Sequence, residues 1–124
     1  MSIALKIIST ELPFLLAIIT GIWLSNYGKP LNTTIFTIHK LIALGSVIFI
    51  AMVIRNLLKN VEINNVILTL IIVTGFSVLV LFVSGALLSL GKPLNNIILT
   101  IHSVTPILTV ITTAMTIYLL VSRK

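Results

Sequence analysis

Two histidines are the side chains in this sequence best suited to chemistry, and the chain has no others. His39 and His102 each close a copy of one pattern, GKPLN-x-x-I-x-T-I-H. Gly28 to His39 reads GKPLNTTIFTIH and Gly91 to His102 reads GKPLNNIILTIH, with nine of twelve positions identical at an offset of 63 residues. A fixed-offset match of this strength indicates a duplicated supersecondary unit. Neutral imidazole is a common metal ligand, and an ionisable side chain in apolar surroundings marks a functional site. The competing role is an interhelical hydrogen bond, which duplication copies as faithfully as a ligand. For a duplicated pair the balance falls on the ligand.

The elements that must position the pair follow from composition. The chain has 124 residues, enough for a single domain, 1–124. It is 58% hydrophobic and only 8% charged, with a mean hydropathy of +1.27, whereas soluble domains carry about 25% charged residues. Runs free of Asp, Glu, Lys and Arg cover Leu12–Gly28, Leu41–Ile54, Ile63–Gly91 and Pro93–Ser122. A helix crosses the hydrocarbon with about 20 apolar residues, and these runs are too long and too poor in alternation for barrel strands. The expected fold class is an all-α membrane protein with four transmembrane helices. The net charge of +6 sits on single Lys and Arg residues at span ends, where snorkelling and topology explain it without nucleic acid. Without cysteine there is no disulfide, iron–sulfur cluster, thiolate metal site or covalent haem attachment.

Punctuation sets the helices. Met1 to Ser9 reads as an interfacial lead-in or the start of helix one, within a retained span rather than a signal peptide. Thr10 or Glu11 can cap that helix, with Pro13 in its first turn. Gly28-Lys29-Pro30 ends it after about Tyr27. Asn32 caps helix two, which runs to about Lys59, and Asn60 to Asn65 forms a polar turn containing Glu62. Helix three covers about Val66–Leu90, Gly91-Lys92-Pro93 breaks it, and Asn95 caps helix four to about Ser122. The spans form two tandem hairpins, repeat 1 over about 10–59 and repeat 2 over about 66–122. Each hairpin crosses twice, so the copies enter with one orientation and form a parallel repeat, with a pseudo-two-fold axis along the membrane normal. Lys6, Arg55, Lys59, Arg123 and Lys124 fall on one side, and Lys29, Lys40 and Lys92 on the other. The positive-inside rule then places both termini in the cytoplasm and the GKPLN turns outside. Trp23, Tyr27 and Tyr118 fit interfacial belts.

Each histidine lies seven residues past its cap asparagine, about 10 Å into the span at 1.5 Å per residue. Two imidazoles opposed across a four-helix core meet the need of a six-coordinate haem iron. Gly21 and Gly85 fall in the same layer on the partner helices, with small residues at helical spacing in Ala17-x-x-x-Gly21-x-x-x-Ser25 and Gly85-x-x-x-Ser89. Ala43 and Ser46, and Pro106 and Thr109, continue the histidine faces. A flat macrocycle needs such side-chain-poor walls, although close helix packing uses the same motifs. Lys29, Lys40 and Lys92, with Asn32 and Asn95, are candidates to neutralise haem propionates, against simple snorkelling and capping. Met52 and Met115 lie too deep to join the same iron and read as core packing. Glu11 is a proton or cation candidate, but a first-turn position favours capping.

Thr20-Gly21…His39 and Ser84-Gly85…His102 carry a resemblance to the helical hairpins of four-helix membrane b-type cytochromes, broadly the cytochrome b561-like group and the haem-bearing anchors of respiratory oxidoreductases. The likeness spans both hairpins. It implies one-electron transfer through haem b within a larger redox complex, with quinone a candidate partner. The setting expected for it is a prokaryotic cytoplasmic membrane. Many such cytochromes hold two haems on four histidines, whereas this chain offers ligands for one bis-histidine haem. The competing readings are a haem-free membrane anchor or assembly subunit whose histidines hold the hairpins together, and a small four-span transporter using Glu11. An electron-transfer subunit is expected rather than a stand-alone enzyme.

Overall fold

A computed structural model describes residues 2–26, 33–59, 61–90 and 96–122. They form four helices, α1 (Ile3–Asn26), α2 (Thr33–Leu58), α3 (Asn65–Ser89) and α4 (Asn96–Ser122). Each is long and apolar enough to cross a membrane, which makes the chain an all-helical integral membrane protein. The surface is correspondingly apolar: Ile19, Leu41, Phe76 and Ile107 are all more than half exposed.

α1 starts at Ile3, not at Thr10 or Glu11. The Ser2 hydroxyl accepts from the Leu5 backbone N–H at 3.1 Å and so satisfies a first-turn donor. Ile7 then packs against the core cluster at that end of the bundle, giving the added turns an apolar contact. Pro13 is therefore inside the helix rather than in its first turn. Glu11 consequently caps nothing. At the start of α3 the Asn64 side chain accepts from Ile67 N–H at 2.8 Å. The expected caps Asn32 and Asn95, the GKP turns and Tyr27 lie outside the described residues.

α1 packs on α2 and α3 on α4, as two hairpins; α4 also packs on α1 and on α2, while α2 and α3 scarcely meet among the described residues. Three layers follow one another along the bundle. At the end holding the chain termini and the α2–α3 turn, Leu57, Ile67, Ile117 and Leu120 form a closed apolar cluster. The middle is polar, with Thr10, Glu11, Ser46, Thr74, Ser77, Thr109, Thr112 and Thr113 all buried. Here α3 and α4 are joined by Thr74 Oγ1 donating to Thr112 Oγ1 and by Thr109 Oγ1 donating to Ser77 Oγ, both at 2.9 Å. The third layer holds the histidines. Met52 and Met115, expected in the core, are exposed, because their helices turn hydroxyl and apolar faces inward at that depth. Trp23 and Tyr118 are exposed, as interfacial side chains require.

Candidate functional site

The histidine layer draws one side chain from each helix. His39 stands six residues from the start of α2, and His102 six residues from the start of α4, so both lie about 9 Å in from those helix ends. α1 presents Thr20 to the first ring and α3 presents Ser84 to the second. Thr20 Oγ1 lies 3.1 Å from His39 Nδ1, and Ser84 Oγ lies 2.8 Å from His102 Nδ1.

The hydroxyls set the tautomers. Thr20 Oγ1 donates to the carbonyls of Leu16 and Ala17, each at 3.0 Å, and Ser84 Oγ donates to Leu81 O at 3.2 Å. Each hydroxyl has one proton, and it is committed to the backbone. With the proton on the backbone, a lone pair faces the imidazole, and Nδ1–H then donates to the hydroxyl oxygen. Nε2 is then the lone-pair nitrogen of both histidines, the arrangement that outer-shell partners impose on metal-ligating imidazoles.

The glycines make room for the rings. A Cβ built on Gly21 would lie 2.9 Å from His39 Cε1, and one on Gly85 would lie 3.1 Å from His102 Cε1. Over Gly45 and Gly75 nothing stands within 4 Å. The Thr-Gly and Ser-Gly dipeptides thus do two jobs on one helical turn: the hydroxyl orients an imidazole and the glycine admits its edge. Reading the sequence found the glycines but gave the preceding hydroxyls no role. Their signal was their position one residue before each glycine.

The two rings come together across the hairpin boundary. Their centroids are 6.5 Å apart and their planes make an angle of 80°. Metal–imidazole bonds of about 2.0–2.1 Å, plus about 1.1 Å from nitrogen to ring centroid, place two trans imidazoles roughly 6.3 Å apart. The observed centroid separation lies close to that distance, and within the range of an edge-to-face ring contact. Among the described residues no cluster of three or more His, Cys, Asp or Glu side chains could hold a metal, so any metal here needs its remaining ligands from elsewhere, as the four nitrogens of a porphyrin supply.

Of the other candidates, Lys40 lies one residue past His39 and places Nζ 5.3 Å from the Phe36 ring centroid, a cation–π contact at the membrane edge. Lys29, Asn32, Lys92 and Asn95 lie outside the described residues. Ser46 and Thr109, each seven residues past a histidine, are buried. No protein-family model, no curated protein and no solved structure matches the chain. Its function is therefore argued from this geometry alone.

Proposed function

We propose that the chain is a membrane b-type cytochrome subunit that carries one bis-histidine haem b and transfers single electrons within a larger redox complex. The observation that carries this reading is the imidazole pair 6.5 Å apart, each ring held at Nδ1 by a hydroxyl of the neighbouring helix. Bound there, haem supplies a one-electron iron couple. The protein's part is to aim two neutral Nε2 atoms, to raise their basicity through the Nδ1–H bonds, and to keep the layer apolar toward lipid. Lys29, Lys40 and Lys92, with Asn32 and Asn95, are the proposed partners of the haem propionates, and quinone is a candidate partner.

The haem-free anchor is the weaker reading. As hydrogen-bonding groups the histidines bond Thr20 and Ser84, each within its own hairpin, where the helices already pack extensively. Those bonds do not join hairpin to hairpin, and they leave the close approach of the two imidazoles without a purpose.

The pseudo-two-fold axis along the membrane normal belongs to the same proposal. It relates Thr20-Gly21…His39 to Ser84-Gly85…His102. A strict axis would make α1–α4 equivalent to α2–α3, but the first pair packs and the second scarcely meets among the described residues, so the symmetry proposed is that of the site alone. Both termini lie in the cytoplasm, with the GKPLN turns outside, in a prokaryotic cytoplasmic membrane. The test is the absorption spectrum of purified, detergent-solubilised protein from haem-replete cells. A low-spin Soret band with sharp α and β bands on reduction is expected. A well-folded preparation without a Soret band ends the cytochrome reading.

A further inference from the structure

Glu11 is the second place where this bundle departs from inert packing. It is 4% exposed, and neither Oε1 nor Oε2 has a hydrogen-bond partner among the described residues. Burial of an ionisable group without a partner is exceptional, because desolvation strongly disfavours an unpaired charge. The residue lies nine positions before Thr20 on α1, about 13 Å along the axis from the histidine layer. Ser46 and Thr109, seven residues past His39 and His102, lie about 10 Å from that layer in the same direction, and Thr113 about 16 Å. Glu11 is therefore level with the buried hydroxyls.

Those hydroxyls share one backbone pattern. All nine buried Ser and Thr side chains are within hydrogen-bond reach of a backbone carbonyl of their own helix, and two of them, Thr74 and Thr109, also reach a hydroxyl of the facing helix. Thr10 donates to Lys6 O at 2.7 Å, Thr113 to Thr109 O at 2.6 Å and Thr116 to Thr112 O at 2.7 Å. A hydroxyl has one proton and two lone pairs, so one bonded to its own carbonyl still offers an acceptor, as Thr112 does to Thr74 and Ser77 does to Thr109. A carboxylate needs donors and finds none. A buried carboxyl without a partner suits its protonated form, or a hard cation that takes oxygen ligands. The charged groups elsewhere do not compensate. Lys6 is five residues back and roughly 140° round the helix. Lys40, Arg55 and Tyr118 on the helices packed against α1 are exposed, and α3 carries no titratable side chain. The position 64 residues on from Glu11 is Gly75, while Thr10, Thr20 and Gly21 meet Thr74, Ser84 and Gly85 at that offset. The carboxyl is thus an addition to one hairpin.

We infer that Glu11 is a monovalent-cation site in the middle of the membrane core, loaded by a proton or a sodium ion. Loading forms one O–H bond on a carboxyl oxygen; sodium, where it binds, displaces that proton and releases one H⁺ for each Na⁺ taken up. The site is independent of the haem assignment, since no step of the argument uses iron. The test is infrared spectroscopy of the full chain in lipid nanodiscs at neutral pH, in sodium-free choline buffer. The chain has only two acidic side chains, which makes the assignment direct. A protonated-carboxyl C=O band is expected, shifted in D₂O, absent from Glu11→Gln and kept in Glu62→Gln. If Glu11→Gln fails to fold, Glu11→Asp should move the band without removing it. Replacing choline by sodium separates the sources: a band that persists identifies the proton as occupant, and one converted to carboxylate stretches identifies sodium. Absence of any protonated-carboxyl band in choline buffer, or a band that survives Glu11→Gln, overturns the proposal.

Discussion

Adding one methyl group at Gly21 tests the site more sharply than removing a ligand. The alanine Cβ would stand 2.9 Å from His39 Cε1 and 3.4 Å from Nδ1. Ordinary contact begins at 3.4 Å, so the ring must retreat by about half an ångström, which is the tolerance of a working metal or catalytic site. It retreats against the Thr20 hydroxyl that holds Nδ1 at 3.1 Å, and Nε2 moves with it. Overpacking of this kind costs about 1–3 kcal/mol, or roughly 5- to 150-fold in haem affinity. At Gly85 the same methyl meets Cε1 at 3.1 Å, so the displacement and the loss should be smaller. Gly45→Ala, with nothing within 4 Å of its Cβ, is the control and should gain about 0.8–1 kcal/mol of helix propensity. The assay is transfer of haem from each variant to excess apomyoglobin, followed in the Soret band, beside thermal unfolding of the detergent-solubilised protein. The expected order of haem loss is Gly21→Ala, then Gly85→Ala, then Gly45→Ala together with the unmodified chain. Equal behaviour of Gly21→Ala and Gly45→Ala would refute the packing of the imidazole on the glycine, and a reversed order of the first two would refute the distances.

Six-coordinate iron needs both ligands, so His39→Ala and His102→Ala should each abolish the low-spin spectrum rather than halve it. Thr20→Val and Ser84→Ala keep the ligands but remove the acceptor of Nδ1–H, and should weaken haem binding by about 10- to 100-fold, with Thr20→Ser restoring it. Gly21→Leu or Gly85→Leu should exclude haem while circular dichroism reports an unchanged helical content. Single cysteines placed at Asn26 and Asn60 of the cysteine-free chain should label from opposite sides, Asn60 from the cytoplasm; labelling of Asn60 from outside intact cells would reverse the orientation.

The four helices were legible because lipid imposes a length and a composition on any span, and the charge-free runs report both. The start of α1 was not. Pro13 reads as a first-turn residue and Thr10 as a cap by the rules of soluble helices, yet proline inside a membrane helix is tolerated where hydroxyls and neighbouring helices re-satisfy the backbone. Pro13 withholds only the one bond its N–H would give to the Ser9 carbonyl, and the helix runs on through it. The histidine pair was legible through the repeated pattern. The partners of Nδ1 were not, since they depend on how each helix is rotated about its own axis. In a helix apolar on every side, no amphipathic face reports that rotation.

A different periodicity does report it. Among the described residues Ser and Thr make up half of the buried side chains, while the exposed ones are largely Leu, Ile, Val and Phe. The useful stripe is therefore polar and small rather than hydrophobic. On α4, Thr105, Thr109, Thr112 and Thr116 recur at steps of four, three and four, and all but half-buried Thr105 are buried. On α1, stepping back from Gly21 by four, three and three residues gives Ala17, Phe14 and Glu11, all three buried. Gly21 faces His39 because its Cβ position touches that ring, and helical geometry carries the same face back to Glu11. The carboxyl was thus placed in the core by the glycine that admits the imidazole, one rotation of α1 serving both. A change that turns α1 to expose Glu11 to lipid must also withdraw Gly21 and Thr20 from His39, so the cation site and the first ligand should be lost together.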